Sequence, residues 1–100
     1  MSDNRRSTTR HDVDLPCAVE DGEAREARVV NLSVGGALIE YPRRPMGHRV
    51  ALRLHLPAPA NHTIEIGAVV RWSADNEIGV QFDGLRPKDV WALNKYFESR

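Results

Sequence analysis

Three arginines near the N-terminus have side chains suited to recognising a nucleotide or another anion. Arg5, Arg6 and Arg10 lie within six residues, and Arg6 and Arg10 are four positions apart. A guanidinium can donate two hydrogen bonds to the O6/N7 edge of guanine, pair with phosphate, or stack on a purine ring. The same three arginines also fit a solvated, disordered tail without a ligand, and taken alone they favour that interpretation.

A second polar stretch begins 21 residues after Arg10, with the sequence Asn31-Leu32-Ser33-Val34-Gly35-Gly36. Asn and Ser side chains bond to nearby backbone and therefore favour turns. Adjacent glycines permit positive φ and a close approach to bare backbone. The stretch predicts a tight turn whose N–H groups can face an anion, although a plain β-turn between two strands is the simpler interpretation.

Catalytic and metal-binding patterns are weak in this chain. The four histidines (His11, His48, His55 and His62) do not have a metal-ligand spacing, and Ser33 does not lie in a G-x-S-x-G sequence. Cys17 lies in an apolar strand pattern and is expected to be a buried core residue. We therefore expect a binding protein that is not an enzyme and that holds neither a metal nor a cofactor.

The composition fits one ordinary globular domain. The 100 residues are 41% apolar and 28% charged, with a formal net charge of zero. Zero net charge implies no bulk attraction to nucleic acid or to an anionic membrane. Neither a signal-peptide pattern nor a run of about 20 apolar residues is present. We expect a cytoplasmic protein that is a monomer or a weak homodimer.

Six strand patterns must position the two polar stretches. Alternating or apolar segments are predicted as strands over residues 13–19, 24–32, 37–41, 49–56, 63–72 and 77–82. The second has a blurred alternation that suggests a bulge. In the fifth, Ile64, Ile66, Ala68, Val70 and Trp72 share one face, which is predicted to point inward.

The pattern predicts an all-β fold with one helix. Six short antiparallel strands are expected to close into a barrel, since closure removes exposed edges. From residue 85 the period changes, and a C-terminal helix is predicted over residues 87–99. The expected organisation is a flexible Arg-rich N-terminal tail over residues 1–12 and a barrel with its helix over residues 13–100. An exposed Trp91 or Tyr96 would offer a contact for a second copy or an effector.

The two polar stretches together resemble the motif of a known family. Arg6-x-x-x-Arg10 followed by Asn31-x-Ser33-x-x-Gly36 is similar to the two-part motif of PilZ domains, R-x-x-x-R and (D/N)-x-S-x-x-G. The resemblance covers residues 5–83 and includes Val69-Val70-Arg71-Trp72 and Gly79-Val80-Gln81-Phe82. Each half-motif is weak by itself, but both halves in this order, with the strands around them, are specific.

The resemblance implies a six-stranded barrel that binds cyclic di-GMP, a bacterial second messenger. Arg6 and Arg10 would engage guanine edges and phosphate, and Asn31 and Ser33 would hydrogen-bond a guanine base. Gly35 and Gly36 would leave room for base and sugar. The motif also allows Asp at position 31, where a carboxylate would accept bonds from guanine N1 and N2, whereas an amide nitrogen cannot accept.

Arg5 resembles the arrangement in family members that bind a stacked dimer of the ligand. The implied function is a receptor and adaptor in which the ligand orders the Arg tail over the barrel and creates a surface for a protein effector. Two rival functions stay open: a degenerate PilZ-like interaction module without nucleotide, and a barrel that binds single-stranded nucleic acid.

Overall fold

A computed structural model describes residues 10–99 of the chain, which form six strands and one helix. The elements are β1 (His11–Glu20), β2 (Ala24–Leu32), β3 (Gly36–Glu40), β4 (Arg49–Leu56), β5 (His62–Ala74), β6 (Glu77–Phe82) and α1 (Pro87–Glu98). The predicted fold class is therefore confirmed. Within these residues no helix is long and apolar enough to cross a membrane.

The strands close into an antiparallel barrel in the order β1-β2-β3-β6-β5-β4. Inward-facing side chains of alternating positions fill the barrel, as the period-two pattern of β4 shows most clearly. Its inner residues, Val50, Leu52, Leu54 and Leu56, are buried, and the residues between them are exposed. Strands that are adjacent in the barrel are also consecutive in sequence, except for the pairs β3–β6 and β1–β4. These two pairings bring the first and third strands of the chain against later ones and complete the cylinder.

Three bulges interrupt the regular ladders. The β1–β2 register shifts between Asp12 and Leu15, and the β2–β3 register shifts between Val29 and Asn31. The second shift confirms the bulge suggested by the blurred alternation of that strand. A third lies in β5 between Val70 and Trp72. Each bulge adds a residue to one strand, so the side chains beyond it change faces.

The third bulge corrects one prediction. Trp72 was expected to point inward with Val70, but it is 49% exposed, whereas Val70 is fully buried. The alternation predicts the wrong face because the register shift inserts Arg71 as an unpaired residue. Arg71 and Trp72 consequently both lie on the outer surface.

Element boundaries differ from the predictions by a few residues. β1 begins at His11, so residues 11 and 12 belong to the barrel and not to the tail. β5 begins at His62, which was expected in a loop. The helix ends at Glu98, one residue before the predicted end. The proposed flexibility of the tail concerns residues 1–9, which lie outside the described part of the chain.

Helix α1 is fixed to the barrel at both ends. At its start the carboxylate of Asp89, only 1% exposed, accepts hydrogen bonds from His62 Nε2 at 2.8 Å and from Arg86 Nε at 3.1 Å. Near its end the Phe97 ring stacks on His11, with centroids 3.8 Å apart and planes 16° apart. The helix thus contacts the first residue of β1, directly after Arg10.

Candidate functional site

Five directly opposed residues form a row across the outside of the barrel, here called the outer row. Asp12 on β1 pairs with Asn31 on β2, Asn31 with Leu38 on β3, Leu38 with Gly79 on β6, and Gly79 with Trp72 on β5. Directly opposed residues in a ladder project to the same face. The row therefore has a polar end at Asp12 and Asn31, an apolar middle, and an aromatic end.

The bulge in β2 explains why Asn31 belongs to this row. Val29 is 1% exposed and points into the core, so regular alternation would also turn Asn31 inward. The register shift between these two residues instead places Asn31 opposite Leu38. The extra residue therefore turns a polar side chain to the outer face beside the turn.

Ser33 holds the turn between β2 and β3 together. Its Oγ accepts hydrogen bonds from the N–H groups of Gly35 and Gly36, at 3.1 and 3.2 Å. Its own N–H donates to Gly36 O at 2.9 Å, and Ser33 is 6% exposed. The sequence suggested N–H groups open to an anion, and this is wrong for Gly35 and Gly36 because the Ser33 hydroxyl already accepts from both.

Gly36 is required by space and not by a left-handed backbone. A Cβ at this position would overlap the carbonyl oxygen of Val80 and lie 3.3 Å from Gln81 Cα, both on β6. Strand β6 can therefore pair with the start of β3 only because residue 36 lacks a side chain. The turn between β2 and β3 therefore packs closely against β6, and its surface at Ser33, Gly35 and Gly36 is here called the shelf.

A groove of about 570 Å³ opens on the outer surface at this shelf. Its lining comes from the turn, three strands and the residue before β1: Arg10, Ser33, Gly35, Gly36, Ala37, Leu38, Arg71, Trp72, Gly79, Val80 and Gln81. The volume lies within the range of sites for small molecules and cofactors. Four of the seven predicted site residues, namely Arg10, Ser33, Gly35 and Gly36, thus meet at one groove.

Asn31 lies at the edge of the groove and does not line it. Its amide Nδ2 donates to Asp12 Oδ1 at 3.0 Å. Its backbone neighbour across the ladder, Leu38, does line the groove. Arg5 and Arg6 lie outside the described residues, so their roles remain predictions.

Arg71 and Trp72 contribute to the groove but were not predicted as site residues. Arg71 Nε donates to Gln81 Oε1 at 2.9 Å, which aligns its guanidinium along the surface. Trp72 stands over Gly79, where a Cβ would be only 3.3 Å from Trp72 Cβ. The sequence offered one signal, the Arg-Trp pair in a strand with an otherwise apolar inner face, but only the bulge reveals that both point outward.

The groove has the chemistry of a site for an aromatic anion. Its charged lining residues are Arg10 and Arg71, and no carboxylate is among its lining residues in the described chain. The indole ring of Trp72 offers a face on which a nucleotide base can stack. Any of the bases can stack in this way, because every base has a π-face. Along the sheet, Asn31 and Trp72 are separated by three strand spacings, about 14 Å. A ligand that reaches both must be longer than a single base.

Other chemistries find less support among the described residues. No group of three or more His, Cys, Asp or Glu side chains within residues 10–99 is placed to hold a metal ion. Cys17 is buried as predicted, 8% exposed. Burial raises the pKa of its thiol to about 11, against a smaller lowering effect of Arg28. At neutral pH the thiol is therefore protonated and a poor nucleophile.

Comparison with known proteins identifies the family. A family model described as the PilZ domain matches residues 4–99. Among solved structures, the Bacillus subtilis inhibitor of motility (MotI/DgrA) matches with a TM-score of 0.79 and 20% sequence identity, over 97% of this chain and 54% of that chain. This likeness supports the fold alone, and the chain spans about half the length of that structure. A search of curated proteins found no match. Because the family model covers nearly all of its sequence, the chain belongs to the PilZ domain family, a family of cyclic di-GMP receptors.

Proposed function

We propose that this protein is a cyclic di-GMP receptor that acts as an adaptor and not as an enzyme. The observation that carries the proposal is the groove itself. It joins Arg10, from the first half of the motif, to Ser33, Gly35 and Gly36, from the second half, although more than 20 residues separate them in sequence. The lining has cations, an indole and close-packed glycine backbone, which suits a dinucleotide carrying two phosphates and two purines.

The described residues suggest a role for each part of the groove. One guanine stacks on Trp72 above Gly79, and Arg71 and Arg10 pair with phosphate or with a guanine edge. Ser33 keeps the glycine shelf rigid and flat so that the sugar and base can approach. Arg5 and Arg6 close over the bound ligand from the N-terminal side, and Arg5 favours a stacked pair of ligands.

Calorimetric titration with cyclic di-GMP tests the proposal. We expect saturable binding, with one or two ligands per chain. Arg10→Ala and Trp72→Ala should each weaken it roughly tenfold or more, because charge-assisted hydrogen bonds and base stacking contribute about 1–3 kcal/mol each. Arg6→Ala should have a similar effect.

Arg53→Ala provides the matched control. Arg53 is an exposed arginine on β4 that pairs with Glu65 and does not line the groove. It should leave the affinity unchanged. No saturable heat up to roughly tens of micromolar ligand would contradict the proposal. Equal affinity of the wild-type chain and Arg10→Ala would contradict the assigned site.

The two rival functions predict different results. An interaction module without nucleotide gives no heat in the same titration. A binder of single-stranded nucleic acid needs a series of stacking side chains along its groove, and in the described chain Trp72 is the one aromatic residue of this lining. Salt-dependent retention on heparin, without saturable binding of cyclic di-GMP, would favour nucleic acid.

The adaptor part of the proposal concerns helix α1. Trp91 on its outer side is 54% exposed, which fulfils the condition set from the sequence for a contact with an effector or a second copy. Lys88 and Lys95 are exposed one turn before and after it. Size-exclusion chromatography with light scattering, with and without cyclic di-GMP, separates self-association from a monomeric adaptor.

A further inference from the structure

The contact between Asp12 and Asn31 gives position 31 a defined hydrogen-bonding direction. An ionised carboxylate only accepts hydrogen bonds, so the Asn31 side chain must turn its NH₂ group toward Asp12. The observed Nδ2 to Oδ1 distance of 3.0 Å has this sense. The carbonyl Oδ1 of the same planar amide then points away from Asp12, as an acceptor on the outer face.

We propose that Asp12 is a specificity-determining positioning residue that makes Asn31 read guanine as an Asp would. The inference rests on the proposed function. Guanine presents the adjacent donors N1–H and N2–H₂, whereas adenine presents one donor, N6–H₂, beside an acceptor at N1. An unrestrained Asn amide can turn over and offer either its donor or its acceptor. An amide held by Asp12 offers only its acceptor, which matches guanine.

The backbone supports the same pairing. Asp12 and Asn31 are directly opposed in the β1–β2 ladder, at the last regular pair before the β1 register shift. Asp12, which orients Asn31, lies two residues after Arg10, which is proposed to hold the ligand. The start of β1, directly after Arg10, is therefore connected to Asn31 by a side-chain contact, in addition to the groove that Arg10 shares with Ser33.

The inference also predicts an unusual result for position 31. Asn31→Asp would introduce the stronger guanine acceptor, but it would place two carboxylates in directly opposed positions, which is destabilising. The exchange Asp12→Asn with Asn31→Asp restores an amide donor facing a carboxylate. The single Asn31→Asp variant should therefore bind more weakly than the exchanged double variant.

The test measures base selectivity by titration with cyclic di-GMP and its adenine analogue, cyclic di-AMP. Asp12→Asn should lower the ratio of the two affinities roughly tenfold, the equivalent of one well-oriented hydrogen bond. Asp14→Asn is the matched control on the same strand. Asp14 pairs with Arg28 at 2.6 Å and not with Asn31, so its loss should leave the ratio unchanged. The exchanged double variant should recover the wild-type ratio.

The outcomes separate this inference from the proposed function. Wild-type binding with a lower selectivity ratio in Asp12→Asn supports both. Wild-type binding with an unchanged ratio in a folded Asp12→Asn variant overturns the role of Asp12 and leaves the receptor function standing. A wild-type chain that binds neither dinucleotide overturns both. A purely structural Asp12 would change unfolding free energy and affinity without changing the ratio.

Discussion

At the level of single residues, Gly36 and Ser33 have different structural roles in the turn between β2 and β3. Gly36 allows β6 to approach, and the Ser33 hydroxyl accepts hydrogen bonds from the N–H groups of Gly35 and Gly36. A hydrogen bond of this kind contributes about 0.5–1.5 kcal/mol. The motif therefore has a folding role that exists without any ligand, beside the binding role proposed for it.

Replacing Gly36 by alanine tests this folding role. The new methyl group would overlap the Val80 carbonyl, which is backbone and cannot rotate away. We expect Gly36→Ala to lower the unfolding free energy by about 3 kcal/mol, the upper end of overpacking effects. The measurement is urea unfolding in the absence of ligand.

Gly67→Ala on β5 is the control for that measurement. A Cβ at Gly67 would have no atom closer than 3.9 Å. Its effect on stability should lie within about 1 kcal/mol and can be stabilising, because alanine restricts the unfolded chain. If the two variants have the same unfolding free energy, the close approach of β6 does not constrain residue 36.

Some residues of the candidate site could be predicted from the sequence, but their contacts could not. Arg10, Ser33 and Gly36 could be singled out because their side-chain chemistry and spacing match a two-part pattern. The hydroxyl of Ser33 is predicted to contact a ligand, and in the structure its Oγ also accepts hydrogen bonds from the N–H groups of Gly35 and Gly36. The sequence does not reveal these contacts within the turn. Asp12 was assigned to the tail because residues 1–12 are polar and charged without periodicity. Its partner, Asn31, is 19 residues away, so no local pattern reveals the contact.

At the level of elements, alternation predicts strands well and bulges poorly. The regular strand β4 was predicted with its boundaries and its inner face. Strand β5 was predicted as a strand, but its register shift at Arg71 reversed the face of Trp72. A bulge depends on the neighbouring strand β6, which follows in sequence but contributes nothing to the local pattern of β5. The position of Trp72 in the groove therefore depends on how β5 pairs with β6.

Asp89 connects helix α1 to the barrel, and its charge should make this connection sensitive to acid. Burial alone would raise the pKa of the Asp89 carboxyl, but hydrogen bonds from Arg86 and His62 outweigh it and hold the pKa below its ordinary value. Its stabilising contribution is therefore complete above the unfolded-state pKa of about 3.9. It is lost as the pH falls through the lower pKa of the folded state.

Asp89→Asn should remove this contribution at neutral pH. We expect a loss of about 3 kcal/mol in unfolding free energy at pH 7, because the Arg86 and His62 donors lose a charged acceptor. The loss should shrink as the pH falls below about 4, because the carboxyl of the unfolded chain then becomes protonated, and it should disappear once the pH falls through the lower pKa of the folded state. Urea unfolding between pH 3 and 7, followed by Trp91 fluorescence in a Trp72→Phe background, measures both.

Asp75→Asn serves as the comparison for this prediction. Asp75 pairs with Arg43 at the surface and is 89% exposed. Exposed pairs contribute about 0–1 kcal/mol, so this variant should follow the wild-type chain at every pH. Equal acid sensitivity of Asp89→Asn and the wild-type chain would show that other carboxylates, such as Asp21 with its lowered pKa, dominate the acid response.

At the level of the whole molecule, the fold brings the start of β1 against the end of α1. The first strand and the C-terminal helix are far apart in sequence, yet His11 stacks on Phe97. Arg10 directly precedes this stack and lines the groove. The helix, the start of β1 and the proposed ligand site are therefore in one continuous set of contacts, which no local sequence pattern predicts.

Phe97→Ala tests whether this set of contacts prepares the site. Removing the ring should free the start of β1, so that Arg10 must be ordered when ligand binds, and an aromatic pair contributes about 0.5–1.5 kcal/mol. We expect cyclic di-GMP affinity to fall roughly threefold to tenfold, as an affinity change of 1.4 kcal/mol is tenfold. Trp91→Ala, on the exposed side of the same helix, should leave affinity unchanged because the Trp91 side chain is mostly exposed and does not line the groove. If the Phe97→Ala variant is folded and binds as tightly as the wild-type chain, Arg10 is positioned by the barrel alone and the helix is free to serve the effector independently of the ligand.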